Sequence, residues 1–308
     1  MLNVERILVP NDGSPCAERA CEQATFLADA LGAHLDIVEV VPEDEQPGSS
    51  WLRDVTISEA DICEDLHLLV DQRSGPEAED TPHVVRRTAY HDRPAEGILR
   101  YAEDHDVNLI VMGTHGRDQL DQMVLGSVAE RVVRHARCPV LTVNQYVEAA
   151  PDDHVQDILC PVDFSTFSVQ TARCAAAVAA TYDAHLHLLH VEGEESPVGI
   201  APEDSAAKAL GGDAAETLHA LAEDLDYAPL STHVADGDPG RAIVQFVEDP
   251  GADLVIQSTH GRTGLKRVLL GSVAETVVRT APCPVLTLRA FGKSILGTSD
   301  EPTEAETD

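Results

Sequence analysis

The chain carries one domain-sized pattern twice, and this duplication limits the folds that are open to it. Residues 107–143 and 252–288 align without a gap and agree at 21 of 37 positions. Residues 7–14 align in the same way with residues 158–165, at an offset of 151 instead of 145. The 308-residue chain therefore divides into two domains of about 150 residues, a length at which a single hydrophobic core forms readily.

Composition places the boundaries between the parts of the chain. We predict a first domain over residues 1–146, a linker over 147–157, a second domain over 158–290 and a disordered tail over 291–308. The linker is polar and contains Pro151, and the tail contains five acidic residues and few apolar ones. Such a tail has too little apolar surface to offset the entropy lost on folding.

Each half alternates short runs of Val, Ile and Leu with amphipathic segments. In the first half the predicted strands are 6–10, 34–41, 83–89, 108–113 and 139–144, and the predicted helices are 15–31, 56–72, 94–104 and 127–137. Continuous apolar runs are typical of parallel strands that are covered on both faces, and their alternation with helices indicates right-handed βαβ units. The second half repeats the series from 157–162 to 285–289. We therefore predict an α/β fold with two tandem doubly wound parallel sheets.

Two long stretches carry no periodic pattern. Residues 42–55 and 192–204 follow the second strand of each half, at the edge of the sheet where a ligand would bind. We interpret them either as lids or as variable surface loops.

The charge balance is strongly acidic. The sequence has 54 acidic and 21 basic side chains, and only three of the basic ones are lysines. A net charge of −33 repels itself in dilute buffer, whereas at ~1 M salt the screening length falls to about 3 Å. We interpret the surface as adapted to high salt, with an ordinary acidic protein as the alternative. The absence of a basic face disfavours nucleic-acid binding.

Cysteine usage and hydropathy point to the cytoplasm. The seven cysteines are an odd number, form no C-x-x-C pair and lie largely in apolar runs, so we expect reduced packing residues. The first strand begins at residue 6 without a preceding secretory pattern, and no apolar run reaches 18 residues. We therefore expect a cytoplasmic protein with no membrane partner.

The repeated segment contains a glycine motif in each half. The first copy is Gly113-Thr114-His115-Gly116, nine residues, then Gly126-Ser127; the second is Ser258-Thr259-His260-Gly261, nine residues, then Gly271-Ser272. Each copy lies between an apolar run and a helical segment. The motif therefore predicts backbone N–H groups and a hydroxyl at a helix N-terminus, where the helix dipole favours a phosphate.

Sheet topology predicts where this motif meets other polar residues. In an open α/β sheet, ligands bind at the carboxyl ends of the strands where the strand order reverses. If the first and fourth strands are neighbours there, the motif meets Asp12 in the first half and Asp163 in the second. Each aspartate would accept a hydrogen bond from a ribose hydroxyl or an adenine amine, or would instead cap the following helix. The candidate nucleotide-binding residues are Pro10, Asn11, Asp12, Val40, Gly113, His115, Gly116, Arg117, Gly126, Ser127 and Val128, and then Pro161, Val162, Asp163, Val191, Ser258, His260, Gly261, Arg262, Gly271, Ser272 and Val273.

The chain resembles the universal stress protein family in its tandem form. The resemblance covers nearly all of residues 4–290. It is carried by the signature Gly-x2-Gly-x9-Gly-[Ser/Thr], by the opening Val9-Pro10-Asn11-Asp12 and by the closing Ala136-Arg137-Cys138-Pro139-Val140-Leu141. It implies a five-stranded parallel sheet in each domain, ATP or AMP as ligand, pairing between the last strands, and a regulatory role in stress without a settled reaction.

The two copies depart from the signature in different ways. The first has all three glycines, but its loop carries Asp118 and Asp121 against Arg117 alone. The second has Ser258 in place of the first glycine, but its loop carries three basic residues and no acid: Arg262, Lys266 and Arg267. Backbone geometry favours the first site and electrostatics favours the second. We predict nucleotide binding in both, with the second at least as strong.

Three functions fit these residues. The first is a nucleotide-binding regulator that acts through conformation or dimer pairing; the others are a slow ATPase or phosphotransferase, and a pairing module with empty pockets. Efficient phosphoryl transfer needs a Mg²⁺-binding acid and a water-positioning residue, and only Asp118 and Asp121 in the first half offer the former. We therefore assign no catalytic residues, and we interpret His115 and His260 as ordering the loop or facing phosphate.

Strand edges predict the assembly. The last strands of the two halves carry few charges and would leave exposed edges in isolated domains, so we expect an intramolecular pseudo-dimer, with a homodimer as a further step. His185, His187 and His190 resemble a metal cluster, but on a strand His190 faces opposite to the other two, and no Cys or acidic residue has ligand spacing. We therefore predict no metal site there.

Overall fold

The computed structural model describes eleven strands and seven helices. The residues described are 2–45, 52–55, 84–116, 125–147, 155–193, 213–259, 270–289 and 295. The strands are β1 Arg6–Pro10, β2 His34–Val41, β3 Leu52–Val55, β4 Val84–Tyr90, β5 Leu109–Gly113, β6 Val140–Val143, β7 Asp157–Pro161, β8 His185–Glu192, β9 Leu230–Asp236, β10 Leu254–Ser258 and β11 Val285–Leu288. The helices are α1 Pro15–Leu31, α2 Pro94–Asp104, α3 Ser127–His135, α4 Thr166–Tyr182, α5 Ala214–Asp224, α6 Pro239–Phe246 and α7 Ser272–Thr280.

All eleven strands form one sheet. Their order is β3-β4-β2-β1-β5-β6-β11-β10-β7-β8-β9. Every neighbouring pair is parallel except β3 with β4 and β6 with β11. Each half thus contributes five parallel strands with helices between them. The predicted α/β fold with tandem, doubly wound parallel sheets is confirmed.

Helices cover both faces of the sheet and create two hydrophobic cores. Buried side chains of α1, α4 and α5 form one core, and those of α2, α3, α6 and α7 form the other. Both cores contain residues from both halves. The apolar strand runs are explained by this double coverage, since both faces of every central strand are buried.

Local signals position the helices much as the sequence predicts. The Ser14 hydroxyl accepts a hydrogen bond from the Ala17 N–H at 3.3 Å, Pro15 occupies the first helical position, and Gly32 ends α1 with φ of 65°. Helix α2 also has its predicted bounds. The predicted strand 83–89 lies one residue later, and the predicted helix 56–72 lies outside the described residues.

One strand contradicts the prediction that residues 42–55 are irregular. Leu52–Val55 form β3, which pairs antiparallel with the outer edge of β4. This strand includes Arg53 and Asp54 and has no apolar run, so its pattern does not reveal it. Its conformation comes from hydrogen bonding to an available sheet edge, a tertiary cause that local sequence does not record.

The two halves meet where their last strands pair. In this antiparallel ladder Thr142 lies opposite Val285, and the Asn144 side-chain amide donates to the Ala281 carbonyl at 2.6 Å. The Arg289 guanidinium donates to the Ala136 carbonyl at 3.1 Å. The ladder pairs backbone N–H and C=O groups along two strand edges, which would be exposed if the halves were separate.

The cysteines that the structure describes are packing residues. Six cysteines lie in the described residues, and all six are buried and form no disulfide. Burial raises the pKa of the Cys160 and Cys174 thiols, which keeps them protonated. None of the helices described is long and apolar enough to cross a membrane.

A buried carboxylate ties three elements of the first half together. Asp36 on β2 is fully buried and accepts hydrogen bonds from Arg6 of β1 at 2.9 and 3.2 Å. The Tyr101 hydroxyl of α2 donates to the same carboxylate at 2.9 Å, and Arg87 of β4 donates to the Tyr101 oxygen. Each polar group is therefore paired, as a buried charge requires.

This arrangement predicts a large cost for Asp36→Asn. Removing the charge leaves two guanidinium groups without their anion in a partly buried site, and we expect about 3 kcal/mol of lost stability. Asp104→Asn is the control, because the Asp104–Arg100 pair on α2 is half-exposed at 3.5 Å, and it should cost less than about 1 kcal/mol. Chemical denaturation at fixed KCl concentration measures both. Equal losses would contradict the assigned role of Asp36.

Candidate functional site

In each half the strand order reverses at the first strand, which is where the topology rule places a ligand-binding crevice. Strand β1 lies between β2 and β5, and β7 lies between β8 and β10. Just beyond these strands, the Asn11 N–H donates to the Val38 carbonyl at 2.9 Å and the Val162 N–H donates to the Leu189 carbonyl at 2.8 Å. The chain then turns away from the sheet on one side of each crevice, as the topology rule for ligand sites predicts.

A helix begins at the other side of each crevice. The Gly126 N–H donates to the Thr114 carbonyl at 2.9 Å, and α3 starts at the next residue. The Gly271 N–H donates to the Thr259 carbonyl at 3.0 Å, and α7 starts in the same way. The N-cap residues Gly126 and Gly271 have no side chain to cap these helices. The first N–H groups of α3 and α7, with the positive end of the dipole, therefore lie beside the loop that follows β5 or β10.

The two aspartates cap local turns. The Asp12 Oδ1 accepts from the Ser14 N–H at 3.0 Å, and the Asp163 Oδ1 accepts from the Ser165 N–H at 3.0 Å and from its hydroxyl at 2.6 Å. The other oxygen of Asp12 lies beside Gly116, where an added Cβ would be 2.7 Å from it. Both the capping role and the placement beside the glycine loop are therefore present for Asp12.

Several candidate side chains point away from the crevice. The Asn11 amide contacts the Cys21 sulfur at 3.3 Å and accepts from the Gly13 N–H at 2.7 Å, so it faces α1. Val162 is buried in the core beneath α4. Only the backbone of these two residues is left to meet a ligand. Pro10 and Pro161 end β1 and β7, and Val40 and Val191 are half-buried near the ends of the second strands.

The first glycine of the motif also has a packing role, which the sequence does not reveal. A Cβ added at Gly113 would lie 2.7 Å from Cys16 Cβ and 2.8 Å from its carbonyl carbon. Gly113 therefore allows α1 to approach β5, and its missing side chain faces that helix instead of a phosphate. At the equivalent place in the second half, Ser258 ends β10. The second half therefore holds a side chain at the position where the first half has Gly113 against α1.

His115 is the buried polar side chain closest in sequence to Gly116. Its Nδ1 contacts the Thr114 hydroxyl at 2.8 Å, while its Nε2 has no partner among the described residues although the side chain is 92% buried. The Ser14 hydroxyl, predicted only as a helix cap, also donates to the His115 carbonyl at 3.2 Å. A buried imidazole nitrogen without a partner indicates a missing hydrogen-bond acceptor or donor.

Other candidates lie outside the described residues. These are Arg117, His260, Gly261 and Arg262, together with the loop charges Asp118, Asp121, Lys266 and Arg267. The remaining candidates, Ser127, Val128, Ser272 and Val273, occupy the first turns of α3 and α7. The structure thus brings together the ends of β1 and β5 with the start of α3, and the ends of β7 and β10 with the start of α7.

Known proteins share both the sequence pattern and the fold. A model of the Universal stress protein family matches residues 3–144 and 154–289. A universal stress protein of Methanocaldococcus jannaschii is 36% identical over 138 residues, which are 43% of this chain and 81% of that protein. One from Mycobacterium bovis is 30% identical over 60% of this chain and 63% of its own length, and another is 25% identical over 92% and 94%. A solved universal stress protein structure from Archaeoglobus fulgidus has a TM-score of 0.61 at 20% identity, covering 93% of this chain and 97% of that one.

Alanine at the two equivalent strand ends should have unequal effects. Gly113→Ala forces α1 away from β5, and we expect it to lower stability by about 1–3 kcal/mol. Ser258→Ala changes a position that already holds a side chain, and it should cost less than about 1 kcal/mol. Thermal unfolding of both variants at one KCl concentration checks this. If Gly113→Ala were as stable as the unmodified chain, the close approach of α1 would not depend on that glycine.

Proposed function

The chain belongs to the universal stress protein family, and on this premise we propose that it is an adenine-nucleotide-binding regulatory protein. ATP or AMP would bind in the crevice of each half and act through conformation or strand pairing. One observation carries the proposal. In both halves the N-cap glycine of a helix, Gly126 or Gly271, is hydrogen-bonded to the loop after β5 or β10, at the place where the strand order reverses. This is where α/β sheets bind phosphorylated ligands.

Each part of the nucleotide has a matching part of the first crevice. The N–H groups of Ser127 and Val128 would hold phosphate oxygens at the start of α3. The His115 Nε2, which has no partner among the described residues, would face the same anion. The oxygen of Asp12 that lies beside Gly116 would accept from a ribose hydroxyl or from the adenine amine, and Val40 would pack on the base. Gly116 leaves room for this, because any side chain there would contact Asp12.

The second crevice would bind nucleotide at least as strongly. Its departure at Ser258 is away from the ligand, since the equivalent glycine faces α1. The basic residues Arg262, Lys266 and Arg267 follow in its sequence, whereas Asp118 and Asp121 follow in the first. Positive charges favour a polyphosphate, and acids oppose it most in dilute buffer. A divalent ion such as Mg²⁺ would accompany ATP in either site without being required by this argument.

The cellular setting is part of the same proposal. We place the protein in the cytoplasm, where ATP is present, as an intramolecular pseudo-dimer of its two halves. Its acidic surface would suit a salt-rich interior. A homodimer would then form from two such chains.

Two matched proline variants test the two crevices separately. Proline is tolerated at the first position of a helix but removes one N–H group. We expect Ser127→Pro and Ser272→Pro each to reduce ATP binding from about two equivalents per chain to about one, because each removes a phosphate donor. Isothermal titration with ATP in multimolar KCl measures this. Ala214→Pro, at the start of α5 and outside both crevices, is the control.

The outcomes separate the proposed function from its alternatives. Loss of one equivalent in each crevice variant, with an unchanged control, supports two nucleotide sites. Unchanged titrations in both variants would contradict the role of the helix N-termini. ATP hydrolysis confined to the first half and abolished by Asp121→Ala would favour the enzyme instead.

A further inference from the structure

Three imidazoles gather on one face of the second half, away from the crevice. His185 and His187 of β8 stack with ring centroids 4.4 Å apart, and His187 lies beside His233 of β9. We call these three residues the imidazole cluster. The His187 Nε2 lies 2.8 Å from the Asp157 Oδ1 of β7, and its Nδ1 lies 3.1 Å from the His233 Nε2. The cluster is half-buried beneath Phe246 of α6, whose ring centroid is 4.7 Å from that of His233.

The same place in the first half has a different chemistry. Strand register makes the halves equivalent: Pro10 pairs with Val38 as Pro161 pairs with Leu189, and these partners pair with Arg87 and His233. By this register the first half has Arg6, Asp36, Arg87 and Tyr101, and the second half has Asp157, His187, His233 and Phe246. Arginines remain charged at every physiological pH, whereas imidazoles change charge near neutrality. Only the second copy of this cluster is therefore sensitive to pH.

The hydrogen-bond partners determine which ring nitrogens carry a proton when the imidazoles are neutral. An ionised carboxylate only accepts, so the His187 Nε2 carries a proton toward Asp157. The His187 Nδ1 of a neutral ring then accepts, and the His233 Nε2 must donate to it. The His185 Nε2 is meanwhile engaged with the Ser231 hydroxyl at 2.8 Å. One proton therefore lies between the His187 Nδ1 and the His233 Nε2.

A single added proton leaves this geometry intact, and a second does not. When the pair holds one extra proton, the positive charge lies next to Asp157 and one proton still bridges His187 and His233. When both rings are charged, two N–H groups face each other at 3.1 Å and the hydrogen bond is lost. Interacting sites of this kind titrate in two separate steps that belong to the pair.

We propose that the imidazole cluster is a proton-binding site: the contact between β8, β9 and α6 is kept when the His187–His233 pair holds one added proton, and it opens when the pair takes up a second. The ligand is a proton because, among the residues that the structure describes, no three His, Cys, Asp or Glu side chains are arranged to hold a metal ion. The groups that face the pair are Asp157 from β7, His185 from β8, Ser231 from β9 and the apolar Phe246 from α6.

The sign of the pH effect follows from His233. Burial first, and then the neighbouring His187 and His185, lower the pKa of His233 below its ordinary value of 6.5. The unfolded chain therefore takes up this proton at a higher pH than the folded chain. Stability from this group is complete above pH 6.5 and is lost as the pH falls below it.

The test follows the imidazole rings directly and then the stability of the chain. Nitrogen-15 NMR of the full chain in constant multimolar KCl reports the tautomer and titration of each ring. We expect His187 to carry its proton on Nε2 at neutral pH, and we expect the His187 and His233 curves to show a shared two-step titration. Thermal unfolding from pH 8 to pH 5 should show a falling midpoint below about pH 6.5.

Two variants distinguish the cluster from histidines in general. His233→Gln keeps a side-chain N–H for His187 but cannot be charged, and it should remove at least about half of the fall in the midpoint. His219→Gln removes an exposed histidine of α5 and should leave the fall unchanged. Independent one-step titrations of His187 and His233, or equal pH profiles in both variants, would overturn the proposal. The NMR measurement on the unmodified chain decides the matter if His233→Gln fails to fold.

Discussion

The crevice in each half depends on one strand pairing, that of β1 with β5 in the first half and of β7 with β10 in the second. Because β1 also pairs with β2, and β7 with β8, the chain leaves the sheet in opposite directions on the two sides of this pair. The ends of the strands and the start of the next helix are then held around an open space. Gly113 keeps α1 close to β5, so the turn that carries Asp12 and Ser14 meets the loop at Gly116. The shape of the crevice is therefore set by backbone packing and not by the side chains that line it.

The antiparallel pairing of β6 with β11 adds a second constraint. Strands of the two halves run in opposite directions as a result, so the two crevices open at opposite edges of one continuous sheet. A single ligand therefore cannot bridge them, and the proposed function requires one ligand for each half. The two hydrophobic cores, in contrast, extend through both halves, so the same packed layers support both crevices.

The sequence predicts most of the fold, since strand runs, the cap at Ser14 and the repeat itself are local signals. The strand β3 is not predicted, because its pairing with β4 is a tertiary effect. The packing role of Gly113 is missed for a similar reason: the motif places it in a phosphate loop, and only the approach of α1 reveals its contact. Asp36 and His187 occupy equivalent positions, but their partners come from distant segments and emerge only from the strand register. Arg117, Gly261 and the charged loops remain predictions.

The central claim is that each half holds one adenine nucleotide. The most direct measurement is to purify the unmodified chain in multimolar KCl, precipitate it with acid, quantify the released nucleotides by chromatography, and titrate the nucleotide-free protein with ATP. Released and titrated ATP or AMP together should approach about two equivalents per chain, one for each helix N-terminus. No released nucleotide and a silent titration would contradict the claim and leave a pairing module with empty crevices.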